Sequence, residues 1–456
     1  MPLTPLQIPP GVYRNGTDFQ SSNRWRDASL VRWSEGTLRP VGGWNFRQTL
    51  NTTAPRAALA WQDLTADKWV AAGFHDGLIA MTASGLVYDI TPVDLVAGDL
   101  DATVNTGYGG EFYGLEDYGT ERADSGQFSE ATTWSLDTWG ENLVACSTED
   151  GRLLEWPLNT AGDAAAILNA PTSNSGLLVT EERFLFALGA GGNPRKVQWS
   201  DREDNTLWAP AATNEAGDIE LQMPGKIMCG IRTRGQALIL SDTDAHSATY
   251  IGGQFVYGFQ RVGSACGIVS RKAAASVDEG VFWMGRSGFH LYAGGAVQEL
   301  PCEVSDYVFT DLNTGQISKV WAVSNQTFNE VWWFYPSAAS NEIDRYVVFN
   351  YAERHWAIGS LSRTAGVDSG AFTFPIWMTT DGAAFDHEFG LSLGDQTAFA
   401  ETGPISLGAG DAVMKATKLI PDEKTQGQVQ AVFKTRFHPN DVERSYGPYA
   451  MANPTS

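Results

Sequence analysis

Short apolar runs separated by turn residues recur along most of the chain. Between residues 139 and 156, an apolar run at 143–146 is followed by Asp150-Gly151 and by a second, partly apolar run. These runs are rich in Val, Ile, Phe, Tyr and Trp, and helical periodicity is scarce, so the pattern predicts an all-β chain. Glycine after Asp or Ser predicts tight hairpin turns, because glycine adopts the positive φ that such turns need.

The same hairpin pattern recurs seven times. Four clear copies turn at residues 76–77, 150–151, 287–288 and 381–382, and with three looser copies the seven starts are at 69, 143, 184, 237, 281, 331 and 376. All but the first of the six gaps between these starts fall in the range of about 40–55 residues that is typical of propeller blades. The spacing therefore predicts a β-propeller of six or seven blades. A stack of β-sandwich domains is the alternative.

The pattern divides the chain into three parts. Residues 1–60 form an Arg/Trp-rich docking segment with the first strands, and residues 61–396 form the propeller. An acidic stretch near 91–130 is either an insertion in the second blade region or a divergent blade. In residues 397–456 the pattern predicts an appended antiparallel β-sheet or small sandwich. Its candidate strands pass through Val413, Ala416, Lys418 and Ile420, and through Val429, Ala431, Phe433 and Thr435.

Charge is unevenly distributed along the sequence. The chain has 456 residues and a formal net charge of −22. This argues against tight wrapping of nucleic acid, which needs clustered cations. Residues 1–60 hold seven arginines and three acidic residues, whereas residues 91–170 hold two arginines and fifteen acidic residues. The contrast predicts either two faces with different partners or an ordinary amino terminus beside a solvated acidic loop.

An arginine-tryptophan stretch near the amino terminus is the strongest candidate for an interaction site. Arg24, Arg26 and Arg32 interleave with Trp25 and Trp33. Both residue types are common anchors of protein interfaces. Because the whole chain is acidic, we expect a protein interface here, with contact to phosphate as the alternative.

No catalytic or metal-binding motif stands out. The four cysteines form no C-x-x-C pair, and His387-Glu388 lacks the second histidine of a zincin helix. The stretch from Asp99 lacks the glycine and alternating acids of an EF-hand loop. Around Asp150-Gly151 the sequence departs from the sialidase Asp box, because the aspartate directly precedes the glycine. We therefore predict no enzyme activity, catalytic residue, cofactor or metal.

The amino terminus lacks the charged start and apolar core of a signal peptide. No stretch approaches the roughly 20 apolar residues of a membrane span. We expect a protein that is made in the cytoplasm and has no membrane span.

Several longer segments resemble the sequences of one known family. "GIRTRGQALILSDTDAHSATYIGG" from Gly230 is similar to its apolar strand, polar turn and Y-x-x-G return, and "GSACGIVSRKAAASVDEGVFWMGRSGFHLYAGGAVQELPCEVSDYVF" from Gly263 to its V-F-W-[ML]-G strand and hairpin. "GTDFQSSNRWRDASLVRWSEGTLRPVGGW" and "FKTRFHPNDVERSYGPY" are like its amino-terminal segment and final β module. The family is the tail hub, or nozzle, proteins of short-tailed bacteriophages, called packaged-DNA stabilisation proteins in lambdoid members. The acidic stretch near 91–130 has no counterpart there, and the carboxyl end stops one or two strands short.

The resemblance implies a structural virion component of the viral tail. It implies a homo-oligomer, a hexameric ring at the distal end of the tail, below a head-to-tail adaptor protein. The ring would contact a tail needle or plug, spikes or fibres, and transiently the packaged double-stranded DNA, which it would retain until genome ejection at host entry. It implies no catalytic residue. The alternative is a tail-associated propeller that binds or hydrolyses host surface polysaccharide. A propeller that binds carbohydrate or protein without catalysis is the third possibility.

Overall fold

Seven four-stranded antiparallel sheets form the blades of a β-propeller in the computed structural model, which describes residues 6–104, 128–405, 418–420, 429–437 and 441–451. This confirms the predicted all-β propeller and sets the blade number at seven. Each of the seven predicted starts falls on, or one residue before, the second strand of a successive blade. The described part of the acidic stretch lies between the first two blades and is not a blade of its own. Residues 105–127 of that stretch lie outside the described residues.

The chain begins with four strands that precede the first blade: β1 (Trp25–Ser29), β2 (Val31–Ser34), β3 (Thr37–Pro40) and β4 (Trp44–Thr49). The first blade has β5 (Ala57–Gln62), β6 (Lys68–Gly73), β7 (Leu78–Thr82) and β8 (Val87–Asp89). A two-residue pairing of β9 (Thr103–Val104) with β10 (Phe128–Ser129) follows. The second blade has β11 (Trp134–Trp139), β12 (Asn142–Ser147), β13 (Leu154–Trp156) and β14 (Ala165–Ala166).

The third and later blades repeat this order. The third has β15 (Gly176–Val179), β16 (Leu185–Leu188), β17 (Lys196–Trp199) and β18 (Gly217–Glu220). The fourth has β19 (Ile227–Thr233), β20 (Gln236–Ser241), β21 (Asp244–Tyr250) and β22 (Tyr257–Ser264). The fifth has β23 (Ala274–Val277), β24 (Gly280–Met284), β25 (Phe289–Ala293) and β26 (Ala296–Leu300).

The sixth blade has β27 (Trp321–Asn325), β28 (Glu330–Tyr335), β29 (Arg345–Asn350) and β30 (His355–Ser360). The seventh has β31 (Ala365–Val367), β32 (Ile376–Met378) and β33 (Ala383–His387), together with β4. Strands β34 (Phe399–Thr402), β35 (Val429–Thr435) and β36 (Arg444–Met451) complete the described chain. Helices are short: α1 (Ser305–Asp311) and the 3₁₀ turns Asp18–Ser21, Ala190–Gly192, Gly253–Phe255, Thr314–Lys319 and Gln326–Phe328. Among the described residues, no helix is long and apolar enough to cross a membrane.

The ring is closed by a strand from the amino-terminal segment. β4 pairs with β33, with His387 opposite Trp44 and Ala383 opposite Thr49, and so supplies the outermost strand of the seventh blade. The innermost strands β31 and β5 are also in contact, so the seventh blade adjoins the first. Both β4 and β5 come from the first 62 residues, so the beginning of the chain is part of the propeller itself.

The second strands are buried because a neighbouring blade covers each face of the sheet. Every residue of β28 is buried, which explains its uninterrupted run of large apolar side chains. The Trp332 ring lies 5.2 Å from the Trp377 ring of the next blade. Trp69 and Trp156 make a similar contact between the first two blades at 5.4 Å. Trp156 thus packs between blades, as expected for a repeat that cannot bury its sheet alone.

The turn pattern predicts a positive φ at four glycines, and the structure confirms it at two of them. Gly151 and Gly382 have φ near +70°. Gly77 and Gly288 do not, so the prediction is wrong there. In the first of these turns, Phe74 N donates to Gly77 O at 2.8 Å, so the loop consists of the two residues between them and the glycine is already back in the strand pairing.

The carboxyl-terminal part pairs partly with the amino-terminal segment. β34 pairs antiparallel with β1, and β1 packs along β30, the outer strand of the sixth blade. β35 coincides with the second predicted strand and pairs with β36 in a two-stranded sheet. In the other predicted strand, Val413 and Ala416 lie outside the described residues.

Candidate functional site

Arg32, one of the five predicted interface residues, lies in the interior of the chain. Its side chain is 4% exposed. Arg32 Nε and Nη2 donate to the two carboxylate oxygens of Glu330, both at 3.0 Å. Nη1 and Nη2 also donate to Glu388 at 2.9 and 2.5 Å. Arg32 therefore joins β2 to the sixth and seventh blades through two bidentate ion pairs, and its guanidinium is occupied within the chain.

The two carboxylates that pair with Arg32 accept further hydrogen bonds. Glu330 also accepts from Trp332 Nε1 at 2.9 Å, and Glu388 from the Gly42 backbone N at 2.9 Å and Asn325 Nδ2 at 3.0 Å. Burial alone would lower the pKa of Arg32, but the two carboxylates outweigh it and raise that pKa. Burial raises the pKa of Glu330, and Arg32 counteracts this rise. The arrangement keeps buried charges paired, which burial in a low dielectric requires.

Trp33 is buried beside the same network, whereas Trp25 is half-buried. The two indole rings lie 5.8 Å apart, and Trp33 also makes an edge contact with His355 at 6.1 Å. Arg32 and Trp33 therefore offer no side chain to a partner in this structure. Of the five predicted residues, Arg24, Trp25 and Arg26 remain partly accessible, and the interface role stays a prediction for these three.

The two remaining arginines are engaged at the surface. Arg24 Nη2 donates to Glu303 at 2.8 Å, and Arg26 pairs with Asp18 at 2.5 Å. Further along the segment, Arg47 pairs with Asp386 at 2.7 Å and Arg56 with Glu342 at 2.7 Å. Most arginines of residues 1–60 thus pair with carboxylates on or next to the fifth, sixth and seventh blades. The uneven charge distribution along the sequence did not predict which carboxylates these would be.

A group of exposed apolar side chains lies at the carboxyl end of the described chain, on the β35–β36 hairpin. Phe437 is 67% exposed and Val442 77% exposed, and every residue of β36 but the last is exposed. The other large exposed side chains of the hairpin are Val432, Tyr446 and Tyr449. Among the described residues of the hairpin, one ring contact, between Phe433 and Tyr449 at 6.0 Å, accompanies the backbone pairing of its two strands. The alternation in β35 predicted a strand, but nothing in it predicted that both faces would be uncovered.

Two ion pairs tie the hairpin to the rest of the molecule. Lys434 Nζ donates to Glu401 of β34 at 2.7 Å. Arg436 Nη1 donates to Asp18 at 3.1 Å, and the same aspartate pairs with Arg26. The predicted residue Arg26 is thus joined through Asp18 to the hairpin. The amino-terminal segment and the hairpin form one continuous surface beside the sixth blade.

The propeller channel contains an open cavity of about 450 Å³. Small residues from the first, fifth, sixth and seventh blades line it, among them Ala58, Ala275 and Ala322. Its one lining carboxylate, Asp368, accepts from Ser324 Oγ at 2.8 Å and from the Gln326 backbone N at 3.0 Å. No cluster of three metal-ligating side chains occurs among the described residues.

Comparison with solved structures gives the fold alone. Virginiamycin B lyase from Staphylococcus aureus aligns with 75% of this chain and 99% of its own, at 7% identity and a TM-score of 0.48. YCF48 bound to a D1 peptide aligns with 78% of this chain and 98% of its own, at 10% identity and a TM-score of 0.44. PorZ, from the type-IX secretion system of Porphyromonas gingivalis, aligns with 89% of this chain and 45% of its own, at 12% identity and a TM-score of 0.40. No family model and no curated protein matches the sequence. Its seven four-stranded sheets make the chain a seven-bladed β-propeller.

Proposed function

We propose that this protein is a structural component of a phage tail, a nozzle or hub that assembles as a ring of identical copies. The observation that carries the proposal is the β35–β36 hairpin, with apolar side chains exposed on both faces. An isolated two-stranded hairpin is marginally stable in water, and contiguous exposed apolar surface is typical of interaction sites. The partner we propose is a second copy of this chain.

A ring requires that each copy present two different surfaces. The hairpin is one, and the other lies on a neighbouring copy, so the contact is heterologous and repeats around an axis until the ring closes. The ion pairs of Arg436 with Asp18 and of Lys434 with Glu401 orient the hairpin relative to the sixth blade. Docking the hairpin on the next copy would cover its exposed side chains and its unpaired strand edges.

The charge of the chain supports DNA as a passing cargo. The net charge of −22 per copy disfavours adhesion of phosphates wherever acidic side chains face a shared lumen. Arg24 and Arg32 of the amino-terminal segment are paired with carboxylates of the same chain, so neither is free to hold a phosphate backbone. The sequence resemblance to nozzle proteins supports the same assignment. On this proposal the protein is located in the virion tail, and an adaptor, needle and fibres are its partners.

Electron cryomicroscopy of phage particles that contain this chain tests the proposal. The expected result is a closed ring of propellers at the distal end of the tail, with the β35–β36 hairpin of each copy against its neighbour. The propeller density identifies the chain directly, so other tail proteins do not confuse the result. Particles that hold the chain as separate monomers, or hold it away from the distal end of the tail, contradict the proposal.

A further inference from the structure

Six basic side chains gather where the innermost strands begin. They lie within the three residues that precede these strands in five of the seven blades: Arg56, Lys226, Arg271, Lys272, Lys319 and Arg363. The innermost strands run in the same direction around the axis, as the parallel bridge between Lys272 and Trp321 illustrates. The backbone positions of these six residues therefore surround one mouth of the channel, and we call them the mouth cations. This is a concentration of positive charge in a chain of net charge −22.

The two ends of the acidic stretch cross this mouth. We call residues 98–104 and 128–132 the stem. Gly98 N donates to His75 O at 2.8 Å, and Thr132 N donates to Asp99 O at 2.9 Å. Ala102 exchanges two hydrogen bonds, both at 2.9 Å, with the side-chain amide of Gln316 near the start of the sixth blade. The stem thus leaves the first blade, reaches the sixth and returns to the second.

Two stem carboxylates and one blade carboxylate form ion pairs with some of the mouth cations. Asp101 accepts from Lys319, and Glu130 accepts from Lys226 at 2.6 Å and lies 3.6 Å from Arg271. Glu342, from the sixth blade, pairs with Arg56 at 2.7 Å and lies 3.6 Å from Lys319. Four of the six mouth cations thus share three carboxylates among the described residues. In the described part of the chain, Lys272 and Arg363 have no carboxylate within ion-pair distance.

Both unpaired cations are held in unfavourable surroundings. Burial lowers the pKa of Lys272, and burial lowers the pKa of Arg363 to about 10. Arg363 Nε donates to the neutral His387 Nε2 at 2.9 Å and so has no anion of its own. The Arg363 guanidinium lies over the Trp44 ring at 5.1 Å, towards the outer edge of the seventh blade, so an added anion at the mouth would relieve the uncompensated charge of Lys272.

We propose that the channel mouth is a binding site for phosphate-bearing polyanions, and that the stem carboxylates of Asp101 and Glu130 occupy it as an internal competitor. Their side chains are 47% and 31% exposed, so the positions of their oxygens are open to solvent. Phosphate oxygens accept the same charge-assisted hydrogen bonds from lysine and arginine as these carboxylates do. The proposal does not depend on the tail function.

The test compares two double variants of the full chain with the same change in charge. Asp101→Asn with Glu130→Gln removes the two stem carboxylates. Asp218→Asn with Glu220→Gln removes two carboxylates from exposed pairs with Lys196 and Arg195 on the third blade, and serves as the matched control. Binding of inorganic tripolyphosphate and of a 30-base-pair DNA duplex is measured by calorimetry at several salt concentrations.

The stem variant is expected to bind tripolyphosphate about tenfold more tightly than the native chain and the control, with an affinity that falls as salt rises. Adding Lys226→Gln and Lys272→Gln is expected to abolish the gain. A gain for both probes indicates a site open to DNA, and a gain for tripolyphosphate alone indicates a site for small polyphosphates. Equal affinity in the stem variant and the control overturns the proposal. Should the double variant unfold, Glu130→Gln alone is compared with Glu220→Gln, and equal affinity there has the same meaning.

Discussion

The amino-terminal segment and the carboxyl-terminal hairpin lie side by side but are held in different ways. The amino-terminal segment is locked into the propeller by the closing strand β4 and by the buried pairs of Arg32 with Glu330 and Glu388. The hairpin rests on two partly exposed ion pairs and leaves its apolar side chains uncovered. The difference separates two roles for terminal segments: the first stabilises the chain itself, and the second is suited to stabilise an assembly.

Removing Arg32 is expected to have the largest effect. Arg32→Met leaves two carboxylates, Glu330 and Glu388, facing each other in the interior without a cation. Breaking a buried pair from one side costs about 3–5 kcal/mol of unfolding free energy. Denaturant unfolding measures this loss. The control is Arg39→Met, whose pair with Glu35 spans 3.8 Å at the surface and contributes less than about 1 kcal/mol. Equal losses in the two variants would contradict the structural role of Arg32.

Acid is expected to weaken the closure of the ring, with a smaller effect. His387 lies on β33 opposite Trp44, and burial, with Arg363 nearby, lowers its pKa well below the usual value. The unfolded chain binds a proton at this histidine below about pH 6.5, whereas the folded chain does not. Stability is therefore retained above that pH and lost as pH falls, by up to about 1.4 kcal/mol per pH unit.

The variant His387→Gln isolates this contribution. Glutamine can still accept from Arg363 but does not titrate, so the slope of unfolding free energy between pH 6.5 and 5 should be shallower than in the native chain. The histidines His246, His290 and His355 also have lowered pKa values because of burial, and they contribute equally in both proteins. Identical slopes would mean that His387 takes up its proton in the folded state as readily as in the unfolded one.

The smallest effect on the stability of a single chain is expected at the hairpin. Val442→Asp places a charge on a side chain that touches little of its own chain, so the monomer should unfold within about 0.5 kcal/mol of the native monomer. Thermal unfolding at protein concentrations low enough to keep both proteins monomeric measures this. A loss of several kcal/mol would show that Val442 is packed within its own chain.

The repeat was readable from the sequence because blade strands are defined by local pattern. The runs at Val331 and Ile376 mark second strands whose two faces are covered, and Asp150-Gly151 marks a true positive-φ turn. What pattern could not supply were contacts across long sequence separations. Arg32 pairs with Glu330 and Glu388, which lie 298 and 356 residues later, so part of a stretch predicted to be an exposed interface lies in the interior. The role of β4 as the closing strand could not be predicted from the sequence for the same reason, since its partner β33 lies near the other end of the propeller sequence.

The most direct test of the central claim is sedimentation velocity of the full chain beside Val442→Asp, with Leu64→Asp as the control. Leu64 is a similarly exposed apolar residue on a loop of the first blade, far in sequence from the hairpin. The account predicts that the native chain and Leu64→Asp sediment as the same closed oligomer, whereas Val442→Asp sediments as a monomer. A native chain that remains monomeric at micromolar concentration, or a Val442→Asp variant that assembles like the control, would contradict it.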